Sequence, residues 1–297
     1  MSGGSDVAFD NAYEAITEEN DARWAYGTGF TDPLAGVDTT VPADVDGGDL
    51  ATYCLMLGDD ALILSQRMQQ WCTRAPELED EMALANIGLD LLGQARMLLT
   101  RAGKADGSDR TEDELAFFRP EHEFRNVRLV EAPNGDFAFS MARLLVFATW
   151  RLVQFQRLVD SIDPVLSAIA AKGVKEVTYH RDYAAQWVIR LGDGTEVSHE
   201  RMQAGLDAVW PLVGELFEPH PVELRLDRVA VDVRELRAEF DEVIDEVLAT
   251  AGLTKPEAAP MARIGGKAGR DGVHTEAMGY LLAEMQSVAR AHPGATW

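Results

Sequence analysis

Two long helical runs separated by one break constrain this chain more than any other feature. From Asp49 onward, Leu50, Tyr53, Cys54, Leu57, Ala61, Leu64 and Met68 recur every three or four residues, the spacing of one buried face on a helix that ends near Arg74. Ala75-Pro76 stops it, because a proline ring disfavours the helical conformation in the residue before it. The second run, Glu77 to Arg101, is apolar on most of its circumference (Met82, Leu84, Ile87, Leu89, Leu91, Leu92, Met97, Leu98), which predicts a helix central to a bundle. Gly103 is expected to end it.

Further along, Lys104 to Asp136 reads as a connection too long for adjoining antiparallel helices. A third helix is expected over Phe137 to Val159 and a fourth over Pro164 to Leu191, with Asp163 as N-cap and Pro164 at the first helical position. Two helical hairpins joined by a long crossover make a ferritin-like bundle, so the predicted class is all-α, a four-helix bundle with additional C-terminal helices. These are a fifth helix capped by Ser198 and running to Phe217, then Asp232 to Ala251 and Thr275 to Ala291. Val222 to Val231 alternates apolar and polar residues and reads as a short extended piece. Residues 1–47, with acids, Gly and Pro and no apolar period, read as a flexible N-terminal extension to a helical domain over 48–297.

Charge excludes some partners. With 27 Lys and Arg against 50 Asp and Glu the net charge is −23, which opposes binding to nucleic acid or to an anionic membrane surface. Only five of the basic residues are lysines, and an acidic, lysine-poor surface fits a protein soluble at high internal salt. No uncharged run approaches the ~18 residues of a membrane span, and no basic, apolar leader opens the chain. Cys54 and Cys72, if on one helix, stand roughly 27 Å apart, beyond disulfide reach, so a cytoplasmic location is expected.

A bundle of this kind raises the question of a carboxylate-bridged di-iron centre, which takes a Glu from each of two helices and Glu-x-x-His from each of the others. If the first hairpin turns near Ala75, Asp60 and Asp90 lie at equal height. The helper position three residues beyond Asp90 is Gly93, however, and no histidine precedes His122. If the second hairpin turns near Asp163, Glu176 faces the level of Trp150, yet Phe137 to Val159 contains no Asp, Glu, His or Cys. Three residues past Glu176 stands Tyr179, and His180, one further, is expected to make a structural hydrogen bond with Glu176. Asp60, Asp90, Gly93, Glu176 and Tyr179 thus read as degenerate ligand positions. Their acids require polar partners, for which Asn86, Gln94, Arg67, Arg143 and Arg151 are candidates. Other sites fare worse. Glu196 to His199 straddles a helix start, the Gly265-Gly266-Lys267-Ala268-Gly269 loop lacks the P-loop spacing, and the cysteines lack zinc spacing. Trp71, Trp150, Trp187 and Trp210 read as core or interface anchors.

Several stretches resemble a known family. Asn86-Ile87-Gly88-Leu89-Asp90-Leu91-Leu92-Gly93-Gln94-Ala95-Arg96, preceded by Ala75-Pro76-Glu77-Leu78-Glu79, is similar to the structural C subunits of the multicomponent phenylacetyl-CoA 1,2-epoxidases. So are Leu129-Val130-Glu131 with Pro133-Asn134-Gly135-Asp136-Phe137, Lys175 to His180, and the C-terminal His274-Thr275-Glu276, Leu282 to Gln286 and Pro293-Gly294. Gly269 to Gly272 looks expanded against the family pattern. The resemblance covers about Asp49 to Trp297. It implies a ferritin-like subunit without catalytic residues, cofactor or metal of its own, paired with a homologous catalytic A subunit that carries the di-iron centre and binds phenylacetyl-CoA. Further oxygenase subunits and a flavin and iron-sulfur reductase complete such systems, which use O2 and NADPH. An apolar interface above about 2,000 Å² with the A subunit is expected. The rival readings are a di-iron oxygenase with an unconventional carboxylate-only site at Asp60, Asp90 and Glu176, and a helical scaffold unrelated to oxygenation.

Overall fold

Three of the four long bundle helices are opened by an aspartate side chain. In the computed structural model, which describes residues 34–295, Asp46 accepts from the Asp49 N–H at 2.9 Å and opens α1 (Gly47–Gln69). α2 spans Leu78–Ala105. A crossover carrying two short helices, α3 (Glu112–Phe117) and α4 (Arg128–Glu131), leads to α5 (Phe137–Leu158), capped by Asp136. α6 (Pro164–Gly192) begins as expected, with Asp163 accepting from the Leu166 N–H at 2.9 Å and Pro164 in the first turn. Then follow α7 (Glu196–Val213), α8 (Pro221–Arg225), α9 (Arg237–Ala251) and α10 (Glu276–Ala291). Among the described residues there is no strand beyond an isolated Ile264–Lys267 bridge, and no helix is long and apolar enough to cross a membrane.

α1 pairs with α2 and α5 with α6, and the two hairpins meet where α2 packs on α6. α7 and α9 cover α5 and α6, while α10 lies against α3 and α4. This is the ferritin-like arrangement, with added helices burying the second hairpin. α5 is so enclosed that every residue from Met141 to Phe155 is buried. That explains the scarcity of ionised side chains on α5 and demands partners for the two inside this stretch, Arg143 and Arg151, while Arg157 at its end reaches Glu239.

Several boundaries differ from expectation for identifiable reasons. α1 ends at Gln69, and the chain continues in turns through Thr73, which has a positive φ of 70°. Gly103 does not end α2. Its missing Cβ instead leaves room for the Arg110 carbonyl, which would lie 2.0 Å from one, so the crossover can fold back onto the helix. Thr195, rather than Ser198, caps α7, accepting from the Ser198 N–H at 3.2 Å. The supposed extended piece starts as the short helix α8, because His220 and Glu223 form a reciprocal cap around Pro221. Val222 and Leu226 are buried one helical turn apart, whereas burial alternates from Val229 through Val231 to Val233, a stretch outside any helix or strand of the described residues until a short 3-10 turn begins at Val233.

The compact body begins at Asp38. Arg101 on α2 donates to the Thr39 carbonyl, so part of the predicted 1–47 extension is anchored. Residues 1–33, the rest of that extension, lie outside the described residues.

Candidate functional site in the bundle interior

Three contacts set the register of the first hairpin. Ser65 Oγ donates to the Gly88 carbonyl at 2.6 Å, Gln69 Nε2 donates to the Ala85 carbonyl at 3.4 Å, and Gly58 abuts Leu98 and Leu99. Asp60 is therefore level with the stretch around Gln94, about one turn beyond Asp90. The expected Asp60–Asp90 pairing fails because the turns after Gln70 carry the chain past the end of α1, so the reversal falls near Glu77 rather than Ala75. In the second hairpin Gly173 faces the Phe155 ring, which keeps Glu176 near the level of Trp150.

Asp60, fully buried, meets two guanidinium groups. Arg151 Nη2 from α5 donates to it at 2.6 Å, Arg270 donates through Nη1 at 3.0 Å and Nη2 at 2.8 Å, and the Val127 N–H adds a fourth bond at 2.9 Å. The Arg151 guanidinium also lies 5.1 to 5.2 Å from the ring centroids of Phe147, Trp150 and Phe155. Burial lowers the Arg151 pKa to about 10 despite the opposing pull of Asp60, while for Arg270, also buried, the cost of burial is outweighed by Asp60 and Glu223, which hold its pKa above the ordinary value.

The other predicted positions do not converge on Asp60. Glu176 accepts from Gln94 Nε2 at 2.9 Å and pairs with Lys172 at 3.0 Å. Asp90 is bonded to His180 Nε2 at 3.0 Å, which corrects the expected His180–Glu176 bond: the imidazole crosses from α6 to α2 rather than following its own helix. Gly93 is half-buried, and Tyr179 is 49% exposed. Of the candidate partners, Arg151 and Gln94 take the roles anticipated. Arg67 instead donates to the Glu131 carbonyl, Arg143 to the Ala132 carbonyl and Asn134, and Asn86 faces outward. Burial, with help from the Arg67 charge, lowers the Arg143 pKa to about 9.

More buried ion pairs surround this level. Asp59 holds Arg119 and accepts from the Arg125 N–H at 2.8 Å. Glu131 accepts from the Thr275 N–H at 2.6 Å and from Asn126 at 3.0 Å, and pairs with His274 at 2.7 Å. Asp163 doubles as cap and as the partner of Arg101, joining the hairpins. Asp59 and Asp60 thus face polar groups of the crossover and of the loop before α10. Their hydrogen bonds tie both long connections to α1.

A carboxylate-bridged metal pair does not fit this donor set. A dication beside Asp60 would face two guanidinium groups, α5 offers no anionic or imidazole donor, and among the described residues no three His, Cys, Asp or Glu side chains converge. Elsewhere, Glu196 and His199 share the first turn of α7, where His199 Nδ1 is bonded to the Gly192 carbonyl at 2.7 Å. Gly265 and Gly266, both at positive φ, form the tight turn closed by the Ile264–Lys267 bridge. The cleft beside that turn is lined by Glu215, Glu218 and Asp271 together with His220, Arg263 and Arg270, and its two guanidinium groups are already paired with Glu218 and Asp60. Both cysteines are free, and burial pushes the Cys54 thiol up. Trp71, Trp150 and Trp210 are buried as anchors. Trp187 is half-exposed and shares Asp80 with Tyr183.

Residues 36–297 match the family model described as phenylacetic acid catabolic protein. The chain belongs to that family. The C subunit of the 1,2-phenylacetyl-CoA epoxidase of Escherichia coli (strain K12) is 45% identical over 250 residues, covering 84% of this chain and 99% of that one. The resemblance read from the motifs around Asn86–Arg96 and Lys175–His180 therefore holds. The match starts at residue 36, ahead of Asp49, consistent with Thr39 belonging to the folded body. Within it, sequence reading missed Asp59, Arg119, Glu131, Arg270 and His274 as members of the polar interior. No local spacing marks them, because each meets its partner from a loop or helix dozens of residues away.

Proposed function

We propose that this chain is the non-catalytic structural subunit of a multicomponent di-iron monooxygenase that epoxidises the ring of phenylacetyl-CoA in aerobic phenylacetate catabolism. Its immediate partner is a homologous catalytic A subunit holding the di-iron centre, served by further oxygenase subunits and a flavin and iron-sulfur reductase. The observation carrying this reading is the Asp60 cluster. In the interior of a ferritin-like bundle, the carboxylate that would ligate a metal is neutralised by Arg151 and Arg270, while Glu176 is taken up by Gln94 and Lys172.

Such an interior gives the partner stiffness in place of chemistry. A di-iron site works only while its ligands are held in narrow geometry, and a second bundle cross-linked by buried ion pairs restrains the helices packed on it. The epoxidase name of the E. coli relative supports membership in such a complex. In a system reconstituted from separately purified components, omitting this chain should abolish phenylacetyl-CoA-dependent NADPH oxidation. The chain alone with reductase should show none. Turnover by this chain without the A subunit would overturn the proposal.

A further inference from the structure

α2 is apolar on two faces, and only one is used inside the bundle. Leu84, Ile87, Leu91, Ala95 and Leu98 are buried toward the body. On the outer side Leu78, Met82, Leu89 and Leu92 are 37 to 67% exposed, and Ala85 completes a four-three-four-three spacing. That spacing is the seam of a helix that packs lengthwise against another. Between Glu81 and Arg96 the helix carries a single ionised side chain, Asp90, which is turned to His180 of α6. On α6, close to that bond, Tyr179 adds a further exposed apolar surface.

From the outer seam of α2 with Tyr179, we infer the surface that docks the homologous catalytic subunit, through a lengthwise apolar helix of that subunit flanked by basic side chains. The inference rests on the function proposed above. Charge selects this occupant over a second copy: each chain carries −23, so self-pairing brings like fields together. The N-terminal end of the seam is rimmed by Glu77, Glu79 and Glu81, which call for basic groups opposite. Four large side chains lie along this face of α2, and Leu89, flanked by Ala85 and Leu92 and next to the Asp90–His180 bond that leads to Tyr179, is the position to perturb.

The test uses the full chain and the purified A subunit, with association followed by light scattering and titration. Leu89→Glu should weaken the pair by at least about 30-fold, the scale of a central interface residue, while Val288→Glu on the exposed face of α10 leaves it unchanged. Circular dichroism and the urea midpoint of free Leu89→Glu should match the unmodified chain, and hydrogen exchange along residues 82–92 should slow in the complex. Unchanged affinity of Leu89→Glu would overturn the docking assignment while leaving the proposed function intact. A self-dimer that Leu89→Glu dissolves, with A binding untouched, would overturn it in favour of a second copy. Failure of the unmodified chain to bind the A subunit would overturn the functional reading and this surface with it.

Discussion

Replacing Asp60 should cost much more than replacing the arginine it holds. Asp60→Leu removes the acceptor of four hydrogen bonds at once. Arg270 keeps the Met56 and Arg125 carbonyls, each at 2.8 Å, and so remains partly satisfied. Arg151 keeps only its three aromatic neighbours, and a buried guanidinium without a counter-ion destabilises a fold by ~3–5 kcal/mol. Arg151→Met takes away one of the four bonds to Asp60 and leaves the carboxylate paired with Arg270, for a cost of about 1–3 kcal/mol. The double variant should then be more stable than Asp60→Leu alone, because deleting Arg151 also deletes the orphaned charge. Urea unfolding followed by circular dichroism measures all three, provided the slopes agree. Equal costs for the two single variants, or a double variant worse than both combined, would refute the view that Asp60 and Arg151 form a desolvated pair.

Other consequences follow from the same interior. His274 is half of a wholly buried pair with Glu131; burial disfavours its charge, but the bond to and field of Glu131 raise its pKa above the ordinary histidine value. This stabilisation is complete below the unfolded pKa of ~6.5 and lost as pH rises through the folded value, so the urea midpoint should fall on that path and His274→Gln should flatten the fall. Gly103→Ala should destabilise the chain by ~1–3 kcal/mol in the same assay, since the Arg110 backbone cannot yield to a Cβ 2.0 Å away. With a charge of −23, the thermal midpoint should rise between low and high KCl, and an unchanged midpoint would show that self-repulsion is unimportant.

How much of this was legible depended on the distance over which each feature is decided. The long helices were readable because stripes such as Leu50 to Met68 and caps such as Asp163 act within a few residues. The poverty of donors on α5 was readable for the same reason, since the absence of acids and histidines is a property of one segment. Register was not. Counting from Ala75 aligned Asp60 with Asp90, and only the turns after Gln70 shift the level to Gln94. Nor were the partners supplied by the long connections: Arg270 reaches Asp60 across 210 positions and His274 reaches Glu131 across 143. Gly103 was misread because a glycine near a helix end resembles a stop signal, whereas here it makes room for the crossover.

Anaerobic addition of ferrous iron to the isolated chain, followed by desalting and elemental analysis, tests the central claim most directly. With Asp60 committed to two arginines and Asp90 to His180, the chain should emerge without bound iron, while the A subunit treated in parallel retains it. Stoichiometric iron held by this chain would contradict the account.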